Sequence, residues 1–204
     1  MAGSNLVHVV DDDVDVRKSL GFLLATANFA VRLYESATAF LATATSSLDG
    51  CIVTDVRMPG IDGIEFLRQL RTRGHTIPVI VMTGHADVAL AVQAMKEGAA
   101  DFIEKPFDDE VLIDAIRSAL DNRNQADARH PQSVEIRGRL AGLSERERQV
   151  LDGLVSGLPN KTIAYDLGIS PRTVEIHRAN VMSKMAASSL SHLVRMALVV
   201  ESKR

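Results

Sequence analysis

The sequence lacks the features that mark several classes of protein. It has one cysteine, Cys51, in 204 residues, which excludes a framework of intramolecular disulfides. Its six histidines show no paired spacing typical of a zinc site. No apolar run approaches the roughly 18–20 residues that are needed to span a bilayer, and residues 1–5 show no sign of a signal peptide. With 46% apolar and 24% charged residues, we expect an ordinary folded protein of the cytoplasm.

The charge is distributed unevenly along the chain. Residues 1–124 contain 11 Lys and Arg against 18 Asp and Glu, a net charge of −7, whereas residues 125–204 contain 12 against 8, a net charge of +4. Opposite signs indicate two domains with different partners, and the basic half favours a polyanion. We predict a first domain over residues 1–120, a linker that can be partly helical over the polar stretch 121–139, and a second domain over 140–204.

Five short apolar runs alternate with segments of helical periodicity in the first 120 residues. This alternation predicts an α/β domain with a doubly wound, five-stranded parallel sheet of the flavodoxin-like type. In such a sheet the functional side chains lie at the carboxyl ends of the strands. The predicted strands cover residues 6–10, 30–34, 51–54, 78–82 and 100–103.

Polar and charged side chains stand at the ends of four predicted strands: Asp11 and Asp12, Asp55, Thr83, and Lys105. Because parallel strand ends converge, the carboxylates would crowd together and need a cation, and an all-oxygen ligand set suits Mg²⁺. A carboxylate at such a site can attack phosphorus and form an aspartyl phosphate. Lys105 and Thr83 could bind the phosphoryl oxygens. Taken singly, the Asp11–Asp13 triplet suits a solvated loop or a helix cap, Asp55 suits an ordinary strand end, and Lys105 suits a surface charge. We expect Asp13 to cap the helix that follows it.

The segments VHVVDDD, VTDVRMPG, VMTGH and FIEKPF resemble the receiver domain of two-component response regulators, over residues 6–107. The resemblance implies that Asp55 is the phosphoacceptor and receives its phosphoryl group from a histidine kinase. It also implies that Asp11, Asp12 and Asp55 bind Mg²⁺, with the backbone carbonyl of Arg57 as a further ligand.

The same resemblance implies a conformational switch at Phe102, a position that also suits an ordinary core residue of a strand. A phosphoryl group adds a charge of about −1.5 to −2 and three acceptor oxygens. Thr83 and Lys105 would move toward it, and Phe102 would turn into the space that Thr83 leaves. In this family the face that repacks commonly dimerises. The resemblance also implies a cis peptide bond between Lys105 and Pro106.

From residue 140 onward the pattern is helical throughout. The sequence Ser-Glu-Arg-Glu that starts at Ser144 is a capping box and predicts the first helix of this half. Asn160 is expected to cap a second helix that ends at Gly168, and Ser170 is expected to cap a third. A fourth helix is expected over residues 189–199. The tight turn between the second and third helices predicts a helix-turn-helix unit.

Residues 140–200 resemble the LuxR-type DNA-binding domain, on the sequence LSERERQVLDGLVSGLPNKTIAYDLGISPRTVEIHRANVMSKM. The resemblance implies that a helix over 171–185 enters the major groove of DNA. Its implied base readers are Glu175, Ile176 and Ala179. The implied contacts to the DNA backbone are Thr173, His177, Arg178 and Lys184. Arg172 could bind a further phosphate through its charge, and the backbone amides near Asn160 and Lys161, at the start of the second helix, could hold another. Because family members often carry basic residues at the positions of Glu175 and Ala179, the family's target sequences do not carry over to this chain.

Over its full length the chain is most similar to response regulators of nitrogen fixation that are partners of an oxygen-sensing haem kinase. We therefore predict a phosphorylation-dependent homodimer that binds promoter DNA, works with RNA polymerase and activates transcription, without a membrane partner. A response regulator that answers a different signal and an adaptor that binds protein instead of DNA are the alternatives. An aspartate-nucleophile phosphatase is disfavoured because Arg57 stands where such enzymes place a second Asp. The only chemistry expected is self-phosphorylation from a phosphodonor and slow self-dephosphorylation.

Overall fold

A computed structural model of the chain describes residues 5–45, 48–84, 88–124 and 129–201. Within these residues it contains five strands and ten helices. In chain order they are β1 (Leu6–Val10), α1 (Val14–Thr26), β2 (Ala30–Tyr34), α2 (Ala37–Thr43), β3 (Cys51–Asp55), α3 (Gly63–Thr72), β4 (Val79–Thr83), α4 (Val88–Lys96), β5 (Asp101–Glu104), α5 (Asp109–Asn124), α6 (Arg129–Ala141), α7 (Glu145–Val155), α8 (Asn160–Leu167), α9 (Pro171–Met185) and α10 (Leu190–Glu201). By their contacts they form two compact units: β1–β5 with α1–α3 and α5, and α4 with α6–α10.

The first unit is built on a five-stranded parallel sheet of order β2-β1-β3-β4-β5. β3 and β4 are buried along their whole lengths, because helices cover both faces of the central strands in a doubly wound sheet. Val7 of β1 pairs with Cys51 of β3, and Val53 of β3 pairs with Ile80 of β4. The α/β fold class predicted from the alternation of strands and helices is confirmed, as is each of the five predicted strands.

Two local features of this unit agree with the sequence predictions. Asp13 caps α1, since its carboxylate accepts hydrogen bonds from the backbone N–H groups of Asp15 at 2.8 Å and Val16 at 3.2 Å. A carboxylate at this end of a helix is also favoured by the helix dipole. The peptide bond between Lys105 and Pro106 is cis.

The second unit is helical, and its helices pack on a common apolar core. Ser144 begins α7 with a complete capping box, in which Glu147 is the reciprocal partner. Gly168 ends α8 in a left-handed conformation (φ 64°), and the Ser170 side chain caps α9. These predicted boundaries are confirmed. The fully buried side chains of this core include Val150, Leu154, Val174, Val181, Met185 and Leu193.

One helix-cap prediction is wrong, and one helix was not expected as such. Asn160 does not cap α8; it is the first residue of that helix, and Pro159, with an extended backbone, occupies the capping position without a side-chain hydrogen bond. α6 is a complete helix within a stretch whose polar composition suggests a linker, and its Ile136 and Leu140 contribute to the core of the second unit. Residues 125–128, in the middle of the predicted linker, lie outside the described residues.

In the part of the chain that the structure describes, every helix is too short or too polar to cross a membrane.

Candidate phosphorylation site and nucleic-acid interface

An ion-pair cluster lies at the carboxyl edge of the sheet in the first unit. Asp11 directly follows β1, Asp55 and Thr83 end β3 and β4, and Lys105 directly follows β5. The Lys105 ammonium lies 2.7 Å from Asp55 Oδ1 and 3.3 Å from Asp11 Oδ2. Asp11, Asp55 and Thr83 are all buried. The parallel topology therefore brings together four residues that stand far apart in the sequence, as the strand ends predict.

Asp55 is held firmly by the backbone around it. Its Oδ2 accepts a hydrogen bond of 2.6 Å from the Arg57 N–H, while Oδ1 binds Lys105. Gly63, the first residue of α3, lies so close behind that a Cβ there would stand 2.3 Å from the Asp55 carbonyl oxygen. The position of the carboxylate is thus set by β3, by the loop after it and by a glycine that allows α3 to approach.

Asp11 is fixed by contacts within the loop that follows β1. Its Oδ1 accepts from the Asp13 N–H at 2.9 Å, and its carbonyl oxygen accepts from the Arg17 guanidinium at 2.6 Å. Burial raises the pKa of Asp11, whereas the Asp13 N–H and the charge of Lys105 act in the opposite direction, and the nearby Asp55 raises it again. The contact of Arg17 could not be predicted from the sequence, because an arginine in the first turn of a helix is not distinctive of such a contact.

Lys105 carries the positive charge of the cluster. Burial by itself would lower its pKa, but hydrogen bonds and charge from Asp55, together with those from Asp11, raise the pKa above its ordinary value. The ammonium therefore stays charged at neutral pH, and two carboxylates face one cation. The remaining negative charge makes the cluster a favourable place for a further cation.

The residues that could hold Mg²⁺ have the right donor chemistry, since carboxylate oxygens and backbone carbonyls are the ligands that Mg²⁺ prefers. Asp11 and Asp55 already share one cationic partner, which shows that both carboxylates can face a single positive charge. Asp12 is exposed beside them, and so is Arg57. Over the ranges that the structure describes, no three acidic, histidine or cysteine side chains converge closely enough to enclose a metal ion.

Thr83 and Phe102 occupy neighbouring positions on the same face of the sheet. Thr83 pairs with Glu104 in the register of β4 and β5, and Val81 pairs with Phe102. Because side chains two residues apart on a strand share a face, Phe102 lies diagonally from Thr83. Thr83 is buried and Phe102 is half-buried. This is the neighbourhood that a coupled movement of the two side chains would need.

In the second unit, α8 and α9 form a helix-turn-helix, and α9 is exposed at several of the positions predicted to contact DNA. Val174, Val181 and Met185 of α9 are buried against the core and fix which side of the helix faces outward. The predicted contact residues on this helix are exposed at Arg172, Glu175, Ile176 and Ala179 and partly buried at Thr173, His177 and Arg178. Ile176 is 53% exposed, which is unusual for an isoleucine and leaves its apolar side chain available to a thymine methyl group.

Two of the predicted contact residues on α9 have charged partners within the protein. The Arg172 guanidinium lies 3.6 Å from Glu175 Oε2, in a pair whose side chains are both well exposed and therefore weakly bound. The Lys184 ammonium lies 2.7 Å from Glu147 Oε2, which is almost fully buried. The sequence gives no sign of the second pair, because the two residues are 37 positions apart.

The start of α8 combines a helix N-terminus that has no side-chain cap with an exposed lysine. Pro159 provides no side-chain cap for this helix, and the first N–H groups of a helix have no intrahelical acceptors. Lys161 is exposed in its first turn. Within the described residues, the buried atoms Asn160 Oδ1 and His177 Nδ1 have no hydrogen-bond partner. Such a helix start can bind a phosphate through its N–H groups and a nearby cation.

Comparison with known proteins agrees with both halves of this description. Residues 7–117 match the family described as the response regulator receiver domain, and residues 141–197 match the family of bacterial regulatory proteins called the luxR family. The chain belongs to the two-component response regulators. Its receiver domain and LuxR-type domain place it among transcription regulators rather than classical enzymes, with a histidine kinase and DNA as the partners of its two domains.

This response regulator has close relatives over nearly its full length. It is 60% identical to the transcriptional regulatory protein FixJ of Azorhizobium caulinodans over 193 residues, which cover 95% of this chain and 92% of that protein. The crystal structure of full-length FixJ from B. japonicum matches with a TM-score of 0.58 at 49% identity, over 98% of this chain and 99% of that chain. The C4-dicarboxylate transport transcriptional regulatory protein DctR of Rhodobacter capsulatus is 44% identical over 192 residues, 93% of this chain and 98% of DctR.

Proposed function

We propose that this response regulator is phosphorylated on Asp55 by a histidine kinase, and by small phosphodonors in the absence of the kinase. The observation that carries the proposal is the contact of 2.7 Å between Asp55 Oδ1 and the Lys105 ammonium. It puts a permanent positive charge beside a buried carboxylate at the edge of the sheet. Phosphoryl transfer depends mainly on positioning and on neutralising charge, and both are available here.

Asp11, Asp12 and Asp55, with the backbone carbonyl of Arg57, are the residues that would hold Mg²⁺. When bound, the cation supplies neutralisation of charge on the phosphoryl oxygens. The protein's own contribution is to fix the Asp55 carboxylate through the Arg57 N–H and to keep Lys105 charged beside it. Slow self-dephosphorylation is hydrolysis of the acyl phosphate on Asp55: water attacks phosphorus, the bond from phosphorus to the carboxylate oxygen breaks, and inorganic phosphate and the free carboxylate result.

Phosphorylation changes the partners of Lys105 and Thr83. The ammonium leaves Asp55 Oδ1 for a phosphoryl oxygen, and the Thr83 hydroxyl donates to another. Phe102, diagonally across the same face, turns into the space that Thr83 vacates. The face around β5 and α5 is thereby repacked, and two receiver domains associate through it as a symmetric homodimer.

The dimer binds promoter DNA through α9. Glu175, Ile176 and Ala179 face the base edges. Contacts to phosphates come from Asn160 and Lys161 at the start of α8 and from Arg172, Thr173, His177 and Arg178 on α9. Two half-sites about one helical turn apart match the two-fold symmetry of the dimer, and joint binding of two weak sites raises occupancy steeply.

The regulator activates transcription in the cytoplasm together with RNA polymerase. Its target genes are those of nitrogen fixation under low oxygen. Its kinase is then an oxygen-sensing haem protein. Support comes from the 60% identity to a protein named FixJ. The relative named for C4-dicarboxylate transport supports the alternative, a different signal read by the same architecture. Residues 1–120, 121–139 and 140–204 are the proposed receiver, linker and DNA-binding domains.

Intact mass spectrometry after incubation with acetyl phosphate and Mg²⁺ tests the phosphoacceptor. We expect one phosphoryl adduct on the wild-type chain and none on Asp55→Asn, which is nearly the same size. Omission of Mg²⁺ should suppress the adduct on the wild type. An adduct of equal yield on Asp55→Asn would show that the acceptor is another residue, and a folded wild-type chain without an adduct would contradict phosphorylation at this site.

A further inference from the structure

The carboxyl-terminal end of α9 is bound to two other helices through charged side chains. Lys184, in the last turn of α9, binds Glu147 in the first turn of α7, with 2.7 Å between Nζ and Oε2. The side chain of Glu147 is 5% exposed and that of Lys184 is 45% exposed. The pair therefore joins a buried carboxylate of the core to the rim of the proposed DNA-contacting helix.

Glu147 is committed to this arrangement by a second set of contacts. Its Oε2 also accepts a hydrogen bond of 2.7 Å from the Ser144 N–H, and its own N–H donates to Ser144 Oγ at 3.3 Å. If Lys184 turned away to a DNA phosphate, a buried carboxylate would lose its cation, which is strongly unfavourable. Lys184 is thus held within the protein, although its position on α9 suggests a phosphate contact.

The second helix that binds this end of α9 is α6. The Arg139 guanidinium, from α6, donates a hydrogen bond of 2.7 Å to the carbonyl oxygen of Met185, the last residue of α9. Its other terminal nitrogen binds Glu135 at 2.8 Å, one turn earlier on α6. The last carbonyl groups of a helix lack intrahelical donors, so this arginine satisfies one of them and links α6 directly to α9.

We infer that Lys184, Glu147 and Arg139 are positioning residues that set the angle at which α9 meets DNA, and that Lys184 is not a phosphate contact. Lys184 lies nine residues after Glu175, about 14 Å along the helix axis. A tilt of only a few degrees about the bound end would move the base-reading residues by about 1 Å, which is enough to break hydrogen bonds to bases. This inference rests on the DNA-binding role proposed above.

The dependence of DNA affinity on salt distinguishes a positioning residue from a phosphate contact. The probe is the duplex that the wild-type full chain selects from a randomised pool, titrated at several KCl concentrations. We expect Lys184→Met to bind about tenfold more weakly, with the slope of log affinity against log salt unchanged. The matched control is Lys161→Met, at an exposed proposed phosphate contact, whose slope should fall by about 1.

Glu147→Gln tests the same pair by removing the charge of the other partner. Glutamine can still accept from the Ser144 N–H, but it removes the charge that holds Lys184. The positioning role predicts weaker binding, and it predicts that Lys184→Met adds little when combined with Glu147→Gln. Lys184→Arg, which keeps the charge and the donors, should restore most of the affinity.

The inference is overturned if Lys184→Met lowers the salt slope by about 1 while Glu147→Gln binds as tightly as the wild type or more tightly. Thermal unfolding of each variant is followed by circular dichroism, so that affinity is compared only among chains folded at the temperature of the titration. Failure of the wild-type chain to select any duplex would contradict the DNA-binding role itself.

Discussion

Removal of the Lys105 charge should destabilise the receiver domain in a way that depends on pH and on Mg²⁺. In Lys105→Met, the carboxylates of Asp11 and Asp55 lose the cation that lies 3.3 and 2.7 Å from them. Their side chains are 3% and 13% exposed, whereas that of Lys105 is 26% exposed. Breaking an exposed ion pair lowers the free energy of unfolding by less than about 1 kcal/mol, and breaking a fully buried pair lowers it by about 3–5 kcal/mol. Because this cluster is partly buried, we expect a loss of ~2 kcal/mol.

The sign of the pH dependence follows from Asp11. Its pKa in the folded state lies above the ordinary value because of burial, so the charged form destabilises the fold at neutral pH and protonation relieves this as the pH falls through that pKa. Without Lys105 the pKa rises further. The stability deficit of Lys105→Met relative to the wild type should therefore be largest at pH 7 and should shrink on acidification. Millimolar Mg²⁺ should stabilise the variant more than the wild type.

Urea denaturation followed by circular dichroism from pH 7 downward measures this deficit, with and without Mg²⁺. Lys18→Met, which removes an exposed lysine from α1, is the matched control and should change stability by less than about 0.5 kcal/mol. A variant as stable as the wild type at pH 7, or a deficit that persists unchanged into acid, would refute the electrostatic account of this cluster.

Three further predictions concern single residues. Ser144→Ala removes the cap of α7 and should lower the free energy of unfolding of the second unit by about 1 kcal/mol in urea denaturation, with no effect if the cap is not formed in solution. The bond to Lys184 and the Ser144 N–H lower the pKa of Glu147 from 4.5 to about 2. The Glu147 carboxylate therefore stabilises the fold above pH 4.5, and this stabilisation is lost as the pH falls toward 2. An acid titration of Glu147→Gln beside the wild type, followed by circular dichroism, would detect the loss. Gly63→Ala places a methyl group 2.3 Å from the Asp55 carbonyl oxygen; it should lower both the melting temperature and the yield of phosphorylated protein, and unchanged values for both would show that α3 can move away.

The strands of the receiver domain and the edge where its site lies could be predicted because the signals for them are local. A short apolar run that ends in a polar residue marks a buried strand and its carboxyl end, and parallel topology then collects those ends at one edge. Asp11, Asp55, Thr83 and Lys105 meet there as the spacing predicts. The capping residues Asp13 and Ser170 were equally readable, because a cap is defined by its neighbours within a single turn.

The parts that could not be predicted depend on contacts between distant residues or on composition alone. The pair of Glu147 and Lys184 joins two helices, and neither helix indicates its partner in its own pattern. α6 is polar enough to resemble a linker, and among its described side chains Ile136 and Leu140 are the ones that reach the core. Asn160 is a common capping residue, but Pro159 already has the extended backbone of a cap and leaves Asn160 inside the helix.

The most direct test of a phosphorylation-controlled DNA-binding protein is the affinity for the selected duplex before and after treatment with acetyl phosphate and Mg²⁺, with sedimentation of the same samples. We predict that the wild-type protein dimerises and binds DNA at least tenfold more tightly after treatment, and that Asp55→Asn does neither. Equal affinity of the treated and untreated wild type, with phosphorylation verified by mass, would contradict control of DNA binding by phosphorylation.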